Sequence, residues 1–114
     1  IDGQSAFAEF HQTRTIDPNY WRTVDRYVAV ANAAGIIPVI GMGWSGRPLS
    51  LDEWRVVWRY MVARYGACAV TWLICGEYNV RGVSDEQIAR TMKLGAFIKS
   101  IDPYKRAMTV HPWY

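Results

Sequence analysis

The chain has 114 residues, 51% of them hydrophobic, and a formal net charge of +3. That length allows one domain with a real core, and that composition excludes a disordered chain. The 13 basic residues are scattered and form no stripe, which argues against nucleic acid as a partner, and no apolar run approaches the roughly 18 residues that cross a membrane.

Residues 1–16 show no sustained period. Asp2-Gly3 and Gln12-Thr13-Arg14-Thr15 suggest loop, and Phe7, Phe10 and His11 fit either a short helix or a strand end. The first helix is better marked. Asp17 is its N-cap and Pro18 suits the first helical position. Tyr20, Val24, Tyr27, Val28 and Ala31 follow at spacings of three and four and predict one apolar face, and Gly35 is a left-handed stop. Ile36 to Ile40 then reads as a buried strand, with Pro38 arguing for an edge or a bulge. Gly41-Met42-Gly43-Trp44-Ser45-Gly46 is the loop at its carboxyl end.

Ser50-Leu51-Asp52-Glu53 is a capping box that opens the second helix. Trp54, Val57, Trp58, Met61 and Tyr65 form its expected buried stripe, and Gly66 stops it. Val70 to Ile74 is an apolar run of the kind that forms a strand buried on both faces. It ends in Cys75-Gly76-Glu77-Tyr78-Asn79, so a carboxylate is expected at the strand's carboxyl end. Ser84-Asp85-Glu86-Gln87 is a second capping box. Ile88, Met92, Gly95 and Ile98 share a predicted face of the third helix, which Asp102-Pro103 ends. Arg106 to Val110 is the last strand, and His111-Pro112-Trp113-Tyr114 is its carboxyl end.

This order predicts an α/β fold with three parallel strands alternating with three helices. The two crossovers, about 30 and 35 residues long, suit right-handed βαβ units. The carboxyl ends of the strands then meet on one rim, where ligands bind in sheets of this class. The rim carries Trp44, Glu77, Tyr78, Asn79, His111 and Trp113. Taken singly, Trp44 reads as core, His111 as a structural histidine, Asn79 as a turn residue and Glu77 as a partner for an Arg. Their joint placement points to a site. One carboxylate beside indole rings is part of what a glycosidase needs, since it uses two carboxylates and aromatic surfaces that stack on sugar. Cys68 and Cys75 lie in or beside the central strand and read as packed thiols. No His/Cys cluster has metal spacing, and neither a metal nor a cofactor is expected.

Tyr20-Trp21, Val24-Asp25, Val28, Ala31, Gly35-Ile36, Trp44, Arg64-Tyr65-Gly66, Trp72, Gly76-Glu77-Tyr78-Asn79 and His111-Pro112-Trp113 stand in an order that resembles the middle of a (β/α)₈ glycoside hydrolase. The resemblance is closest to the apiosidase-like family and covers nearly the whole chain. It implies strands three to five of a barrel, with Glu77 as the general acid/base, a role that needs a carboxyl pKa raised by burial. Trp44, Tyr78, Asn79, His111 and Trp113 would match sugar-binding positions. Many members of the wider clan carry Asn directly before the acid/base, whereas Gly76 stands there in this chain. The nucleophile is implied on strand seven, which these residues do not include. A whole barrel takes about 250 residues. The chain, which starts at Ile1 without a Met or a signal-like stretch, is therefore expected to be a partial barrel domain, residues 1–114, of a longer protein. Exposed sheet edges would recruit the rest of that barrel or further copies of the chain. The competing reading is a non-catalytic carbohydrate-binding module. A hydrolase using Cys75 or Ser45 is weaker, because Gly43-Trp44-Ser45-Gly46 lacks the spacing of a nucleophile elbow.

Overall fold

The computed structural model describes residues 7–8, 15–41 and 49–113. The chain divides into two compact units, Ile1–Ile36 and Ile37–Tyr114.

In the first unit, β1 (Phe7–Ala8) and β2 (Thr15–Ile16) pair antiparallel. The other residues on which a helix or strand end was expected near the start, Phe10 and His11, lie outside the described residues. Helix α1 (Pro18–Ala33) starts where the sequence marks it: the Asp17 carboxylate accepts from the Asn19 N–H at 2.9 Å. Gly35, at φ 73°, follows the Ala34 C-cap and turns the chain in the left-handed region that glycine enters without strain. The buried residues are Trp21 and Val28. Tyr27, expected on the apolar face, is exposed instead. The stripe is rotated by about one residue, because Trp21 carries the larger apolar surface.

The second unit holds a three-stranded parallel sheet in the order β3 (Val39–Gly41), β4 (Thr71–Gly76), β5 (Met108–His111). Helices α2 (Leu51–Tyr65) and α3 (Asp85–Ile101) form the crossovers. Three parallel strands alternating with three helices make an α/β arrangement consistent with part of a (β/α)₈ barrel. Strand β3 corrects the expectation of a buried Ile36–Ile40 strand. It starts only after Pro38, lies at the sheet edge, and leaves Ile37 and Val39 exposed. Pro38 has no N–H to give a ladder, but its carbonyl still accepts from the Thr71 N–H at 3.1 Å.

Both capping boxes form. Ser50 and Glu53 exchange bonds at the start of α2, as do Ser84 and Gln87 at the start of α3. Helix α2 buries Trp54, Val57, Trp58, Met61, Val62 and Tyr65. Helix α3 buries Leu94, Gly95 and Ile98, while Met92, expected on that face, is 69% exposed. The helix presents Thr91, Leu94, Gly95, Ile98 and Asp102 at spacings of three and four, which turns Met92 outward.

The core centres on Trp72 of β4, which is fully buried. Its ring meets Trp58 of α2 edge to face, 5.8 Å between centroids, and its indole N–H donates to Asp102 at 3.0 Å. Asp102 does far more than end α3. It also accepts from the backbone N–H groups of Tyr104 and Arg106 and from the Arg106 guanidinium at 2.7 Å. Arg106 in turn donates to the carbonyls of Gly66 and Cys68. Burial alone would push the Asp102 carboxyl up, but the Trp72 and backbone donors and the Arg106 charge outweigh it and hold it below the usual carboxylate range. This junction lies at the amino ends of β4 and β5, opposite the rim where ligands are expected.

Candidate active site at the strand mouths

The rim is built from the chain that follows each strand. Gly41 closes β3, and a Cβ there would sit 2.4 Å from the Leu73 carbonyl oxygen, so only glycine allows β3 to approach β4 this closely. Trp44 and Ser45 lie in the next segment, outside the described residues. The chain that leads on into α2 is tied to α3 by Arg90, which donates to the Leu49 carbonyl at 3.1 Å.

Strand β4 reaches further. Leu73 pairs with Thr109 and Gly76 with His111, so β4 takes three steps where β5 takes two. The extra residue is a bulge, a device that re-aims side chains and is common beside active sites. Its effect is visible at Ile74 and Cys75. Ile74 packs on Gly95 of α3, and the Cys75 thiol, one residue later, also meets α3 through a hydrogen bond with Thr91. In an unbroken strand those two neighbours would face opposite ways. Burial pushes the Cys75 thiol above its ordinary value, although Thr91 and Arg90 pull it down. A protonated thiol turned to a helix is packing, not a nucleophile.

Glu77 follows Gly76, the last paired residue after the bulge, at the carboxyl end of the central strand, and is half-buried. Its backbone is left-handed, at φ 52°, one of two non-glycine residues described in that region. Its carbonyl accepts from the Val80 N–H at 3.2 Å, which closes a turn over Tyr78 and Asn79. Tyr78 is half-buried and Asn79 exposed. His111 is the last residue of β5 and is exposed. Two residues on, Trp113 is 51% exposed. The rim thus brings Glu77, Tyr78, Asn79, His111 and Trp113 onto the mouths of two adjacent strands.

Asn79 joins those mouths. Its side-chain oxygen accepts from the Trp113 N–H at 2.7 Å, and its amide nitrogen lies 3.5 Å from the Trp113 carbonyl oxygen as donor. Nothing in the sequence marks this contact, since it spans 34 residues and uses backbone atoms of the partner. Among the described residues no group of three His, Cys, Asp or Glu side chains is placed to hold a metal ion. No helix among them is long and apolar enough to cross a membrane.

The rim thus has Glu77 at the mouth of the central strand and His111 and Trp113 at and just beyond the end of its neighbour. Comparison with curated proteins and with solved structures finds no match. The model of the apiosidase-like catalytic domain matches residues 1–114, the whole chain. The chain therefore belongs to the apiosidase-like catalytic-domain family, a group related to glycoside hydrolases.

Proposed function

We propose that Glu77 is the general acid/base of a glycoside hydrolase that works by a two-carboxylate, retaining mechanism. One observation carries this reading: an acidic residue held in a left-handed conformation at the mouth of the central parallel strand, just past a bulge and the Gly76–His111 pair. A non-glycine residue in that region is strained, and such strain gathers at ligand sites. The family match supports a carbohydrate substrate, and the family's name suggests an apioside.

In the proposed reaction the Glu77 carboxyl gives its proton to the glycosidic oxygen as the bond from that oxygen to the anomeric carbon breaks. A second carboxylate attacks the anomeric carbon and forms the glycosyl-enzyme. Glu77 then takes a proton from the water that releases the sugar. Among the described residues, Glu77 is the one carboxylate at the strand mouths. We place the nucleophile on a further barrel stave, a reading under which these 114 residues need the rest of the barrel for activity. Further staves would also cover the outer edge of β3, where Ile37 and Val39 are exposed. Trp113 and Trp44 serve as sugar-stacking surfaces, with Tyr78 and His111 contacting hydroxyl groups.

The test uses the whole protein and two apiosides that differ in leaving group. Glu77→Gln should lower kcat/KM on an alkyl apioside by about 10²- to 10⁴-fold, the usual worth of a general acid. On p-nitrophenyl apioside the loss should be much smaller, because the departing phenolate needs no proton. Equal losses on both substrates, or none on either, would overturn the assignment. Saccharide binding by the intact protein without any turnover would favour a binding module instead.

A further inference from the structure

We infer that Asn79 is a positioning residue that holds the backbone of Trp113 to the Glu77–Val80 turn and so fixes the indole at the rim, an inference that rests on the glycosidase reading of the rim. A primary amide carries an acceptor oxygen and an NH2 with two donors, and its oxygen and one of those N–H groups can face a backbone as a peptide group does. Asn79 turns both towards a single backbone residue: its oxygen accepts from the Trp113 N–H at 2.7 Å, and its nitrogen faces the Trp113 carbonyl at 3.5 Å. It therefore acts as an extra peptide from β4. The last ladder pair of the two strands is Gly76 with His111, and the Asn79 amide adds one more pairing beyond it. The consequence is local to the rim. Asn79 sits inside the Glu77–Val80 turn, so the same short segment that bends the Glu77 backbone also grips the chain that carries Trp113. Trp113 as a residue stays 51% exposed, accessible to a ligand. Both contacts of the Asn79 side chain go to the backbone of Trp113, so its proposed effect on the sugar runs through Trp113.

The test is a double-mutant cycle in the whole protein, read as KM and kcat for p-nitrophenyl apioside. This substrate depends little on protonation by Glu77, so the cycle stands apart from the test of the acid role. Asn79→Ala and Trp113→Ala should each raise KM about tenfold, the scale of one lost aromatic contact, with a smaller change in kcat. The double variant should be no worse than Trp113→Ala, because Asn79 has nothing left to position. Asn79→Asp keeps the acceptor for the Trp113 N–H and should fall between wild type and Asn79→Ala. It serves as the folded comparison where Asn79→Ala lowers Tm. Additive losses would mean that Asn79 binds sugar directly and would overturn the inference, as would an unchanged KM in either single variant. Wild-type protein that neither binds nor cleaves the apioside would remove the functional reading and this inference together.

Discussion

Glu77 carries two properties that can be separated by substitution, a carboxylate and a strained backbone. At φ 52° any side chain with a Cβ meets the following carbonyl, at a cost of roughly 1–2 kcal/mol, whereas glycine adopts the region freely. Glu77→Ala and Glu77→Gly remove the same carboxylate. The glycine variant should nevertheless be the more stable of the two by about 1 kcal/mol in urea unfolding, although at an ordinary position alanine wins. The reverse order would mean that the turn relaxes and that no strain is held at the rim. Much about this residue was legible beforehand: an apolar run that stops at a carboxylate puts that carboxylate at a strand end. The handedness of its backbone was not legible, because it is imposed by the bulge at Ile74–Cys75 and by the turn to Val80. The Asn79 grip on Trp113 escaped for a related reason. It depends on how the two chains run on beyond the Gly76–His111 pair, which no local pattern records.

Helices were the most readable elements because their ends are chemically marked. Ser50 with Glu53, and Ser84 with Gln87, satisfy backbone N–H groups that a helix start leaves without partners. Both starts lie on the side of the sheet where the strands open. Ser84→Ala should cost about 1 kcal/mol, seen as a lower urea midpoint with an unchanged slope. A midpoint that does not move would show that the first turn of α3 is held by packing alone. Faces were harder to assign than ends. A stripe through 88, 92, 95 and 98 fits the pattern as well as one through 91, 94, 95 and 98, and the packing that buries Leu94 and exposes Met92 decides between them. Edges were harder still. Ile36-Ile37-Pro38-Val39-Ile40 has the composition of a buried strand, but burial depends on neighbours, and β3 has one partner among the described strands.

Across the unit Ile37–Tyr114, the two ends of the sheet carry separate tasks. The strand mouths hold the candidate site, and the opposite end is held by Asp102, which ties the end of α3 to β4 through Trp72 and to the start of β5 through Arg106. Arg106 extends the tie to the turn after α2 through the Gly66 carbonyl. A nearly sealed carboxylate, 1% exposed, is tolerable there because each lone pair meets a donor. Its pKa lies below the ordinary value when folded, so the folded state binds a proton on Asp102 less readily than the unfolded chain does. The stability it contributes is therefore present above about pH 3.9, the value of an unfolded Asp, and is lost as pH falls through the lower folded value. Asp102→Asn removes the charge and leaves the guanidinium of Arg106 without its counter-ion. It should cost about 3 kcal/mol at pH 7, the lower end for breaking a buried pair. The gap between wild type and variant should narrow as pH falls below about 4, since protonation then does to the wild type what the substitution does to the variant. Urea unfolding at pH 7 and at pH 3 checks both parts. A gap of equal size at the two pH values would show that the junction holds by shape and hydrogen bonding, without its charge.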